Sequence, residues 1–301
     1  MRKSTIGAIR VCAAVVAVVA VALGATACQG GEDGKAAGQS VRPSASATGT
    51  VAPSGTVQAV QAAWKQTEKA HSAKVRMTIT TDGPLGAGRV EMSGVQGWGD
   101  VPAMDVTMRT TGSLKAESAA VKMPEDQRVI MLGTRQYLDI GPELANRTGG
   151  KRWMRMPDRT ASSAQGAGGA PTGMSSDPAE QLGVLLHSPS VRHLGTETVD
   201  GTVAEHYKGL ITFEEMAAVS PKAAAMPPER RQRTLDAARN ARIKGYDTDV
   251  WLDRNGYPVR MKVVMDSPFG AVTLDGHYSG FGTPITISEP DAEDVFDPEA
   301  L

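Results

Sequence analysis

The sequence predicts an α+β protein, with one curved antiparallel β-sheet, a half-barrel, covering a few α-helices. Three observations point there. Short segments alternating polar and apolar residues recur through most of the chain after residue 72. The breaks between them hold turn residues, as in Gly133-Thr134, Asp200-Gly201 and Arg254-Asn255-Gly256. Only three helical stretches, at 57–71, 178–187 and 228–244, are available to cover the apolar face of such a sheet.

The front of the chain comes first. Arg2, Lys3 and Arg10 precede an apolar run from Val11 to Leu23, and Gly24-Ala25-Thr26-Ala27 supply small residues before Cys28. This is the three-part layout of a secretory leader over 1–27. A cysteine directly after the small residues resembles a lipobox, although Ala25 stands where leucine is usual. An ordinary cleavage site leaving Cys28 as a free thiol, and an uncleaved anchor, are the competing readings. Cysteine usage favours the lipobox: Cys12 lies inside the leader, so Cys28 has no partner for an internal disulfide, and exported proteins usually pair their cysteines. Residues 28–56 then read as a lipidated cysteine and a flexible tether rich in Gly, Ser, Ala, Thr and Pro.

The rest, 57–290, reads as one domain, with an acidic tail at 291–301. Thr56 caps a helix to His71, with Val57, Val60, Trp64, Thr67 and His71 on one side. Val75, Met77 and Ile79 then alternate with Lys74, Arg76 and Thr78. Val90 and Met92 alternate with Arg89 and Glu91 until Gly94, which suggests a bulge or bend. Met104, Val106 and Met108 alternate with Asp105, Thr107 and Arg109. Strands come next at 128–132, 136–140 and 151–156, then a loop at 161–176. Asp177 caps a short helix over Pro178–His187. Val191–Val199 and Thr202–Thr212 form a hairpin. Pro228 opens a helix that Gly245 ends, and its arginines, at 230, 231, 233, 239 and 242, read as a solvated face. Strands return at 247–253, 257–266, 271–281 and 284–288.

Composition bounds the function. The formal charge is −1, and losing Arg2, Lys3 and Arg10 with the leader takes it to −4, which does not suit nucleic acid. Aromatics make up only 4% while Met reaches 14 residues. Such a core is soft, either because Met merely replaces Leu in packing or because the interior is a pliable apolar cavity.

Motifs for catalysis are absent. There is no G-x-S-x-G elbow and no P-loop. His71, His187, His193, His206 and His277 are scattered and read as ordinary surface or strand histidines. Asp247, Asp249, Asp253 and Asn255 miss the calcium-loop pattern and read as turn and strand-edge residues. The expectation is a non-enzyme with no catalytic residues, no metal and no cofactor.

Several segments carry a family likeness: V-I-M-L-G-T-R-Q-Y-L-D-I at 129–140 with K-R-W-M-R-M at 151–156, L-G-T-E-T-V-D-G-T-V-A-E-H-Y-K-G at 194–209, D-V-W-L-D-R-N-G-Y-P-V-R-M at 249–261 and Y-S-G-F-G-T-P-I-T-I-S-E-P at 278–290. With the lipobox and tether, their succession over most of 57–290 resembles the mycobacterial LppX/LprG-type lipoproteins and the related LolA/LolB carriers. The resemblance implies a lipoprotein held by palmitate-type acyl chains on Cys28 at the outer face of the cell membrane. It implies a monomer whose half-barrel holds a lipid or another apolar ligand for transport or shielding. The helical region at 213–244, interrupted by Pro221, Pro227 and Pro228, departs from the family pattern.

Alternation and the covering helices place Trp64, Val75, Met77, Ile79, Met104, Val106, Met108, Leu185, Val250, Leu252 and Met261 on the face that would line the cavity. If that face is instead filled, the protein is an envelope interaction or sensor protein with no ligand.

Overall fold

Period-two alternation resolves into a twelve-stranded sheet built from two meanders. The computed structural model describes residues 55–83, 87–112, 124–156, 177–219, 224, 226–240, 242–268 and 270–298. The expected leader, Cys28 and the tether as far as residue 54 lie outside them, as do the expected loop at 161–176 and Pro221. Ser54–Leu301 forms one unit, and the sheet and its helices belong to it.

The first meander runs through β1 (Ser72–Asp82), β2 (Gly88–Gly97), β3 (Ala103–Gly112), β4 (Asp126–Leu132), β5 (Arg135–Asp139) and β6 (Trp153–Met156). The second comprises β7 (Arg192–Val199), β8 (Thr202–Thr212), β9 (Gly245–Asp253), β10 (Pro258–Ser267) and β11 (Gly270–Ser279). Within each, neighbours in sequence pair antiparallel. The meanders join first strand to last: β1 pairs with β11 from Lys74 opposite Ser279 to Asp82 opposite Ala271. The β7–β8 hairpin closes on the expected two residues. Asp200 (φ 49°) and Gly201 (φ 80°) both take the left-handed conformation that matches strand twist.

Five helices are described: α1 (Gly55–Ala70), α2 (Gly141–Ala145), α3 (Pro178–Leu185), α4 (Phe213–Val219) and α5 (Pro228–Asn240). α1 buries Val60, Ala63 and Thr67, spaced three and four apart along one side. Thr67, a polar residue, is fully buried, whereas Trp64 is half-buried against Gly183 of α3. The Asp177 carboxylate accepts hydrogen bonds from the Ala179 and Glu180 amides at 2.8 and 3.3 Å, and Pro178 opens α3.

Several details depart from the sequence expectation. Thr56 does not cap α1, which begins at Gly55 and holds Thr56 within its first turn. Gly94 marks no bulge: β2 pairs with β3 without a register shift from Gly88 to Gly97. Glycine stands there because a Cβ would lie 2.1 Å from the Asp105 carbonyl oxygen. The last long helix, α5, stops at Asn240 rather than at Gly245. Arg242 turns left-handed (φ 54°), and the Ile243 amide reaches back to the Ala238 carbonyl at 3.0 Å. Residues 284–288 form no strand. Proline at 284 has no amide to donate, and the segment is tied down by side chains instead, with the Tyr137 hydroxyl on Glu289 at 2.6 Å. Finally, the acidic end is in part a strand. β12 (Val295–Phe296) pairs in parallel with β6, and the Lys151 ammonium donates to the Val295 carbonyl at 2.9 Å.

Candidate functional site

The candidate site is the helix-covered inner face of the sheet. Register fixes its rows. Met77 of β1 lies opposite Met92 of β2, which lies opposite Met108 of β3. Two residues along, Val75, Gly94, Val106, Val129 and Leu138 form a second row. A third row holds Gln96, Met104, Met131, Gln136 and Met156. On the other side of β1, Tyr278, Gly276 and Leu274 of β11 continue the face to Met261 and Val263 of β10, and then to Val250 of β9 and Tyr207 of β8.

The structure brings the sequence-predicted set together. Val75, Met77, Ile79, Val106, Leu185, Val250, Leu252 and Met261 are buried in one apolar cluster, and Trp64, Met104 and Met108 pack against it half-buried. Within the cluster the face changes character along the sheet. From β8 to β1 it is closed by α1, α3 and Phe213 of α4, and Val250 and Met261 have no exposed surface. From β2 to β6 it is rich in methionine: Met92, Met104, Met108, Met131, Met154 and Met156 are all half-buried, beside the buried Val90, Val106 and Val129. With Met77, Met261 and Met265, nine methionines of the described strands face inward. Unbranched thioethers fill irregular space and reshape at little cost.

Several inward residues lie outside the predicted set, among them Met92, Leu274 and Tyr278. Met92 was recoverable, since it continues the alternation of Val90 already noted. Tyr278 carries a hydroxyl and was passed over, yet Leu274, Gly276 and Tyr278 share a face by the same period. Tyr278 is among the most buried aromatics of the cluster, at 4% exposure. Burial pushes its phenol pKa upward, so the group stays a neutral O–H donor.

The outer face is charged and orderly. His206 sits buried between two carboxylates, Nδ1 to Glu197 at 2.8 Å and Nε2 to Asp249 at 2.7 Å, and stacks on Trp251 at 4.2 Å. The Trp251 indole donates to Glu197 at 2.9 Å, and the Arg260 guanidinium covers its ring at 4.7 Å. Arg260 then binds Asp275 through two bonds of 2.8 and 2.7 Å. Sequence spacing could not show this, because Glu197, His206 and Asp249 meet only through pairing of β7, β8 and β9.

These pairs predict acid sensitivity. Burial alone would raise the Asp275 and Asp139 carboxyls, but hydrogen bonds from Arg260 and Arg152 outweigh it, and both pKa values end below the ordinary 3.8. Each folded carboxylate therefore holds its proton less tightly than in the unfolded chain. The stability it adds is complete above the unfolded value and is lost as pH falls through the lower folded value. The melting temperature is expected to decline steeply below about pH 4. A profile that stays flat into stronger acid would show that these pairs contribute nothing.

On the outer side a cleft of about 630 Å³ is lined by Lys74, Arg76, Asp200, Tyr257, His277 and Phe281, among others. Asp200 closes much of its charge by accepting from Arg76 at 2.7 Å and pairing with His277 at 2.8 Å. Among the described residues, no group of three or more His, Cys, Asp and Glu could hold a metal ion.

No family model matches the chain. An uncharacterized 31.2 kDa protein of Streptomyces griseus, from the rplA–rplJ intergenic region, is 26% identical over 247 residues, covering 80% of this chain and 78% of that protein. A candidate lipoprotein of Streptomyces coelicolor is 26% identical over 295 residues, covering 94% of this chain and 92% of that one. Among solved structures, the chain resembles the Mycobacterium tuberculosis lipoprotein LppX at 13% identity and a TM-score of 0.41, over 77% of this chain and 98% of LppX.

Proposed function

We propose that this is an extracytoplasmic lipoprotein whose inner sheet face holds the acyl part of a lipid or another flexible apolar molecule, to carry or to shield it. In this reading, residues 1–27 are the leader, acylated Cys28 holds the protein to the outer face of the cell membrane, and the tether gives the domain reach. The similarity to a candidate Streptomyces coelicolor lipoprotein supports the anchor. The observation that carries the ligand is the methionine-rich half of the face. A plain core would close over these side chains as it closes over neighbouring Val106 and Val129, yet the inward methionines of β2 to β6 remain half-buried. Nothing in the site suggests chemistry on the ligand, so the role is binding.

Mass spectrometry of the protein released from membranes in mild detergent tests both parts. The denatured protein should begin at Cys28 and carry a diacylglyceryl group. The native protein should hold an additional, non-covalent lipid. Met108→Lys should abolish the second mass and leave the first, because a cation on that face must be desolvated beside the chains. A wild-type protein with no non-covalent adduct would overturn the carrier reading.

A second reading, as an envelope interaction protein, is favoured by exposed apolar residues on the β7–β8 hairpin. Leu194, Val203 and Leu210 are 46%, 52% and 40% exposed, and β7 is an edge of the sheet.

A further inference from the structure

The Tyr278 side chain lies along its own strand, over Gly276. A Cβ at Gly276 would sit 2.8 Å from the Tyr278 hydroxyl oxygen and 3.1 Å from its ring. Glycine at 276 therefore makes room for the phenol. Gly276 is paired on one side with Met77 and on the other with Met261, which are 4% and 0% exposed. The hydroxyl thus ends in the middle of the apolar face, two strands from half-buried Met92. Among the described residues it has no hydrogen-bond partner. Thr67, on the buried side of α1, presents a second fully buried hydroxyl that also lacks one there. Buried polar groups are nearly always paired, and an unpaired one calls for a missing partner. A phenylalanine would fill the same space without that penalty.

We infer that the Tyr278 hydroxyl selects the ligand, donating a hydrogen bond to the carbonyl oxygen of an ester- or amide-linked lipid whose chains lie on the methionine half. This inference rests on the proposed lipid-binding function and adds a class of cargo to it. The route to the hydroxyl passes over Met92 and Met77, whose unbranched side chains can swing aside. A hydrocarbon of the same length would bury the same apolar surface and leave the hydroxyl unpaired. A site built around a hydrogen bond discriminates against analogues that lack the partner.

The test uses the full-length protein loaded with cis-parinaric acid, a fluorescent acyl probe, displaced by methyl oleate or by 1-octadecene. Wild type is expected to favour the ester by about tenfold, as for one hydrogen bond in a dry site. Tyr278→Phe should remove that preference, keep the affinity for octadecene and melt no lower than wild type. Equal affinities in the wild type would overturn the inference, as would an ester preference that survives in Tyr278→Phe. A lower melting temperature with the preference intact would assign the hydroxyl to an internal water instead. A wild type that fails to bind the probe at all would remove the lipid-binding function itself, a separate failure from loss of selectivity.

Discussion

Leu182→Ala is expected to lower the melting temperature by roughly 5–15 °C. Leu182 is fully buried on α3, between Ala179 and Leu185, which share its side of the helix. That side packs into the cluster shared by Val60 and Ala63 of α1 and by the inward residues of β8 to β11. Removing the side chain forfeits its transfer energy and leaves a hole that a short, capped helix can fill only in part. The combined cost is about 2–5 kcal/mol. Thermal denaturation of the purified protein followed by circular dichroism measures it. A drop under about 2 °C would mean that α3 stands away from the sheet and that the cavity extends under it.

Gly94→Val is expected to cost about 3 kcal/mol by a different route, collision rather than loss. The new Cβ would lie 2.1 Å from the Asp105 carbonyl oxygen and 2.8 Å from the Val106 Cα. Both belong to the backbone of β3, so no rotamer change relieves the contact. β2 and β3 must part where Gly94 faces Val106. Because this pair sits between the two methionine rows, the variant should also lose non-covalent lipid, unlike Leu182→Ala, whose damage lies at the closed end. Unchanged stability would show that the two strands are less closely spaced than the register implies.

Much of this fold was legible because strand side chains alternate strictly and one face must be buried. Val75, Met77 and Ile79 could be assigned inward without knowledge of any partner strand, and the structure pairs all three with inward residues on both sides. Local chemistry likewise revealed the Asp177 cap and the Asp200-Gly201 turn, since both act within a few residues. What escaped depends on distant partners or on very short elements. α2 and β12, of five and two residues, are below the length at which periodicity speaks. Gly94 stood out in the sequence, but its cause lies in another strand, so it read as a bend. His206 looked ordinary because its two carboxylates come from β7 and β9. Tyr278 was hidden by its own hydroxyl, the feature that makes it the most informative residue of the face.

The seam between the meanders bears on how the molecule comes together in time. β1 and β11 join residues about 200 positions apart, so the contact that unites the two halves is the most expensive loop to close. Each meander can zip from its own hairpins, but neither can borrow stability across the seam until almost the whole chain is present. Folding should therefore finish slowly and late, with the two half-sheets exposing their methionine and valine rows in the interval.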